Sequence, residues 1–131
     1  MDNRQLFVQN RLVCQIVNDK TANWGGAGFA SAVRRKWPEV QKDFKRWASE
    51  ARDRLSLGNI VSLKAEKGIE VFCIVAQKGY GASSLPRIRY SALEKGLQEL
   101  AERAAKTNAS IHMPRIGVGH AGGNWIFIEE L

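Results

Sequence analysis

LVCQIVNDKTANWGGAGFASAV, residues 12–33, is the stretch that decides the fold. Leu12 to Val17 is a short, nearly continuous apolar run, as expected of a strand buried on both faces. Asn18 to Ala27 then gathers Asn, Asp, Thr and the adjacent Gly25 and Gly26, the composition of a loop. A helix is expected from about Gly28, with Phe29, Ala30, Ala32 and Val33 apolar and Arg34 to Lys36 closing it. Strand, glycine-rich loop and helix in that order form the repeating unit of an α/β domain.

The rest of the chain extends this pattern. Pro38 opens a second helix at its first turn, where its missing N–H costs nothing. Val40, Phe44 and Trp47 follow at helical spacing. Leu57 to Leu63 and Glu70 to Ala76 read as two strands of a hairpin, with Lys64 to Ile69 as the turn. Gly79 to Pro86, GYGASSLP, reads as a flexible loop. Leu93, Leu97, Leu100 and Ala104 recur at helical steps. Ser110 to Met113 is another strand, and Arg115 to Gly123 a second glycine-rich loop leading into a last helix at about Asn124. The expected fold is α/β: a three-layer α/β/α arrangement, with a mixed, mostly parallel sheet flanked by helices. Residues 1–131 read as a single domain.

Composition narrows the class. Hydrophobic residues make up 44% of the 131 and charged residues 25%, as in a globular domain and unlike a disordered chain. The two cysteines, Cys14 and Cys73, stand apart in apolar runs, a spacing that fits neither a zinc site nor a redox motif. They read as buried small hydrophobes in a reducing compartment. The first residues, MDNRQLFVQNR, lack the apolar core of a signal peptide, and no apolar run approaches the ~20 residues that span a bilayer. A cytoplasmic protein with no membrane partner is expected. The net charge of +7 favours an anionic partner without naming one. Because the basic stretches also contain Asp and Glu, solvated helix faces outweigh a nucleic-acid surface. Any nucleic-acid binding is expected to be weak.

The chemistry sits in the two glycine-rich loops, NDKTANWGGAGF (18–29) and PRIGVGHAGGNW (114–125). Each lies between a strand and a helix, and in α/β folds the crevice beyond the carboxyl ends of the strands is where ligands bind. Glycines there let backbone N–H groups approach a phosphate, and the following helix N-terminus adds partial positive charge. Neither loop is a G-x-G-x-x-G or Walker fingerprint. Singly each reads as a turn; together, on neighbouring strands, they read equally well as a cradle for a diphosphate.

Both loops, with LGNIVSL, VAQKG and IRYSALEKGLQELAERA between them, make the chain resemble macro domains over about residues 12–131. The resemblance is closest to bacterial members of the branch that includes the ADP-ribose-binding module of a human chromatin remodeller and the terminal ADP-ribose protein glycohydrolases. It implies a module that binds ADP-ribose, or a related NAD-derived nucleotide or ADP-ribosylated macromolecule, with the diphosphate between the loops. The implied ligand residues are Asn18, Asp19, Asn23, Trp24, Gly25, Gly26, Ala27, Gly28 and Phe29 of the first loop. Those of the second are Gly117, Val118, Gly119, His120, Ala121, Gly122 and Gly123. For Trp24, simple loop packing is an equal alternative, and Trp125 and His112 read as structural. No metal and no cofactor are expected; His120 has no second histidine nearby.

The alternative implied by the resemblance is an ADP-ribosyl hydrolase, with Lys78, His120 and Asp19 as the candidate catalytic residues. Glutamate-specific hydrolases of the family use a lysine near the end of the central strand and an aspartate in the second loop. Gln77 or Lys78 falls at the first position and Ala121 at the second. No carboxylate lies between Arg115 and Asn124, so that loop offers no Asp or Glu as acid or base. The balance favours a binding module over an enzyme. The resemblance implies a first strand with a Gly-Asp pair, whose aspartate reads adenine, and a final strand after the last helix; here only Asp2, after Met1, is available for the first, and Glu129 to Leu131 fall inside the expected last helix. Either both are missing or the chain is a piece of a longer one.

Overall fold

The computed structural model describes residues 10–24, 28–81 and 83–114. Its elements run in the order β1 (Asn10–Asn18), α1 (Phe29–Lys36), α2 (Pro38–Glu50), β2 (Ile60–Glu66), β3 (Ile69–Gln77), α3 (Tyr90–Thr107) and β4 (Ala109–His112). The strands form one sheet in the order β2-β3-β1-β4. β1 is parallel to both β3 and β4, and β2 is antiparallel to β3. This is the mixed, mostly parallel sheet that the sequence predicts.

The alternation of side chains along the inner strands creates two cores. Leu12 and Cys14 of β1 and Phe72, Ile74 and Ala76 of β3 face Leu93 and Leu100 of α3. Val17, Val71, Cys73 and Val75 face Val33 of α1 and Val40 and Phe44 of α2. Helices therefore cover both faces of β3, and its central residues Val71 to Ala76 are all buried. That is why VFCIVA reads as a continuous apolar run. α3 lies unusually close to the sheet: a Cβ on Gly96 would come within 2.4 Å of Ile74 Cγ2. α3 ends at Asn108, which takes the left-handed conformation (φ 51°) and donates its N–H to the Ala104 carbonyl.

The hairpin differs from its expected bounds at two places. β2 starts at Ile60, not Leu57. Leu57 is exposed, Gly58 donates to the Val75 carbonyl, and Asn59 turns its amide onto the carbonyls of Asp53 and Arg54. The hairpin turn shrinks to Lys67 and Gly68, because Lys64 to Glu66 continue the ladder with β3. The loop after β3 is cross-linked at its base. Lys78 N–H donates to the Arg87 carbonyl, Arg87 Nε to the Gly81 carbonyl, and Arg87 Nη1 to the Lys78 carbonyl. Gly79 (φ 68°) makes room for that guanidinium, since a Cβ there would stand 2.8 Å from Nη1. The second glycine-rich loop and the last helix expected from the sequence lie outside the described residues.

Both cysteines are free and buried, as expected. Burial pushes both thiols up, Cys73 to about 12, with the Gln15 amide pulling weakly the other way. Neither is a nucleophile near neutral pH.

Candidate functional site

The carboxyl ends of the parallel strands β1 and β3 lie side by side, and the polar residues expected of a site gather there. The register slips at the end of β1, so that Asn18 pairs with Gln77. Asp19 N–H still donates to the Gln77 carbonyl at 2.9 Å, which ties the start of one loop to the end of the other strand. Asn18 Oδ1 accepts from the backbone of Lys20 and Thr21, both at 2.8 Å, and Thr21 Oγ1 accepts from Asn23 N–H. These Asx and hydroxyl turns bend the chain sharply away from the sheet.

Asp19 is the electrostatic centre of the described site. Its Oδ2 pairs with Lys78 Nζ at 3.1 Å, and its Oδ1 accepts from Gly79 N–H at 2.8 Å. Partial burial alone would raise this carboxyl. The Gly79 N–H and the Lys78 ammonium outweigh that effect and hold it below its ordinary value. Asp19 is only 14% exposed at its side chain, whereas Lys78 is 60% exposed. Among the described residues, the lysine therefore reaches across the surface to the carboxylate. Its backbone is fixed on both sides by Arg87.

Farther along the loop, the structure places Trp24 inward. The residue is 6% exposed, and its ring lies 5.2 Å, centroid to centroid, from Phe44 in the core between the sheet and α2. Its backbone N–H donates to Gln41 Oε1 at 2.9 Å, while Gln41 Nε2 donates to the Ala22 carbonyl at 2.9 Å. Of the two readings of Trp24, the ring takes loop packing. Asn23, beside it, is exposed. α1 begins immediately after the loop, with Gly28 at its N-cap and, among the described residues, no side-chain cap. Phe29, the first helical residue, packs onto the α1–α2 core. It also lines an open groove with Val13, Trp37 and His112. His112 is exposed on β4, its Nε2 2.7 Å from Ser110 Oγ.

The described residues thus bring Asn18, Asp19 and Lys78 together and leave Trp24 in the core. Gly25, Gly26 and Ala27 lie outside the described residues, as do Gly117, Val118, Gly119, His120, Ala121, Gly122 and Gly123. Sequence reasoning missed Gln41, Gly79 and Arg87. Gln41 left a signal: it is a polar residue between Val40 and Phe44 on the buried stripe of α2, where an amide needs partners.

A three-layer sheet with polar residues collected beyond the carboxyl ends of adjacent parallel strands defines an α/β ligand-binding domain. No family model matches the chain. The macrodomain protein of Streptomyces coelicolor is 31% identical and superposes with a TM-score of 0.75, over 93% of this chain and 77% of that one. A Bacteroides thetaiotaomicron protein of unknown function is 33% identical, with a TM-score of 0.84 and coverage of 93% and 77%. The Chromodomain-helicase-DNA-binding protein 1-like of Danio rerio is 32% identical over 120 residues, which is 86% of this chain. The chain spans only 12% of that relative's length. The chain belongs to the macrodomain family.

Proposed function

We propose that this domain binds ADP-ribose, free or attached to a macromolecule, with the diphosphate held by the loop after β1 and the glycine-rich segment 114–125. The observation that carries this reading is the geometry of the first loop. It leaves the carboxyl end of an inner parallel strand, is bent by Asn18 and Thr21, and runs into a helix with no side-chain cap among the described residues. Unsatisfied N–H groups at such a helix start attract phosphate oxygens. Membership of the macrodomain family supports ADP-ribose over other diphosphates. Asp19, ionised and fixed by Gly79, is suited to accept from ribose hydroxyls near the end of β1. A reducing, cytoplasmic setting belongs to the same reading and is supported by the two buried free thiols.

Calorimetric titration with ADP-ribose, run beside AMP and NAD, is the test. ADP-ribose should bind more tightly than AMP, and equal affinities would refute the diphosphate cradle. A Gly26→Glu change should weaken ADP-ribose binding by more than about 2 kcal/mol, by setting a carboxylate against the phosphates. Unchanged affinity in a folded variant would reduce the first loop to a turn.

A further inference from the structure

The loop after β1 is held from outside by a side chain that neither glycine-rich motif contains. We propose that Gln41 is a positioning residue for the ligand loop, clamping its backbone at Ala22 and Trp24, just before the glycines of the motif. The inference rests on the ADP-ribose reading above, which it deepens.

The clamp is made at both ends of one amide. Gln41 Oε1 accepts from Trp24 N–H and Gln41 Nε2 donates to the Ala22 carbonyl, each at 2.9 Å. The two bonds span the last residues of the loop before the glycines. Gln41 is 6% exposed, so neither bond competes freely with water, and loss of the amide would leave a buried donor without a partner. Its position is itself fixed, because Val40 and Phe44 on either side of it are fully buried. Phe44 also meets the Trp24 ring, so α2 holds the same loop residue by its backbone and by its side chain. A binding loop gains affinity when the chain entering it is already ordered, because less freedom is lost on binding. The helix that caps the sheet thereby sets the geometry of the loop without touching ligand.

The test compares Gln41→Met, which keeps volume and removes both bonds, with Leu100→Ala. The latter weakens the opposite face of the sheet and leaves the loop alone. Both are measured well below their Tm, by amide exchange and by titration with ADP-ribose. In Gln41→Met, the Trp24 amide should exchange at least tenfold faster and ADP-ribose affinity should fall about tenfold. In Leu100→Ala, affinity should stay within twofold of wild type. A released Trp24 amide with unchanged affinity would overturn the positioning role, and so would unchanged protection of that amide. Should Gln41→Met fail to fold, Gln41→Glu keeps the acceptor for Trp24 and removes the donor to Ala22. It should then weaken binding threefold or more, and wild-type affinity there would overturn the proposal. A wild type that does not bind ADP-ribose would sink the ligand reading, while the exchange comparison would still decide whether Gln41 orders the loop.

Discussion

Asp19 and Lys78 are the pair on which a hydrolytic reading would have to rest. A lysine nitrogen attacks a sugar carbon only with its lone pair free, and another group must then move the proton. Lys78 lies on the surface, its Nζ 3.1 Å from Asp19 Oδ2. The second loop contains no Asp or Glu to move the proton. Multiple-turnover release of ADP-ribose from an automodified polymerase should therefore be absent. Turnover abolished by Lys78→Ala or His120→Ala would reverse the assignment to a binding module. The same pair sets a pH dependence. Asp19 is held below its ordinary value of 3.8, so the ionised carboxylate favours the folded state. Its contribution is complete above the unfolded value and disappears as pH falls through the folded one. Asp19→Asn should cost about 1 kcal/mol or less at pH 7, since Lys78 is mostly solvated. Urea midpoints of variant and wild type should converge as pH falls through the folded value; a gap that widens in acid would contradict the pairing.

At the scale of elements, the inner strands and α3 were legible because burial on one stripe or both faces leaves a periodic record. VFCIVA and the Leu93–Leu97–Leu100–Ala104 pattern need no tertiary knowledge. The start of β2 was not legible, because Leu57 is apolar yet exposed, and only the bonds of Gly58 and Asn59 decide where the ladder begins. In the site, Asn18 and Asp19 were readable from their place after an apolar run. The Gln41 clamp was not, because its partners are backbone groups 17 and 19 residues away. Gly96 gives the sharpest stability test. Replacing glycine by alanine inside an exposed helix normally stabilises it by up to about 1 kcal/mol. Here the new methyl would meet Ile74, with the nearest atom at 2.4 Å. Gly96→Ala should instead destabilise by about 1–3 kcal/mol in urea unfolding. A stabilised variant would show that α3 can lift from the sheet at no cost.

For the molecule as a whole, charge and topology matter most. Eight basic and four acidic residues lie between Arg34 and Arg54, which accounts for more than half of the net +7. Two of the acids, Glu39 and Asp43, pair with Lys42 and Arg46 on the surface of α2, so the basic face is partly neutralised. Binding to double-stranded DNA should be weak and should fall steeply between low and physiological salt, as counterion release requires. Sequence-selective binding that survives physiological salt in a filter or anisotropy assay would contradict this and make nucleic acid a partner in its own right. The topology bears on how the chain reaches this state. β1 precedes every other described strand, yet it lies inside the sheet, and its partners are distant: Gln15 meets Cys73 across 58 residues, and Asn10 meets Thr107 across 97. A nascent chain therefore makes LVCQIV before either of its described partners, and the strand waits for β3 to emerge from the ribosome. Non-local pairing of this kind slows folding, and a waiting apolar strand is a template for aggregation. The strand that leads into the site is thus also one that is exposed to misassembly while the chain is being made.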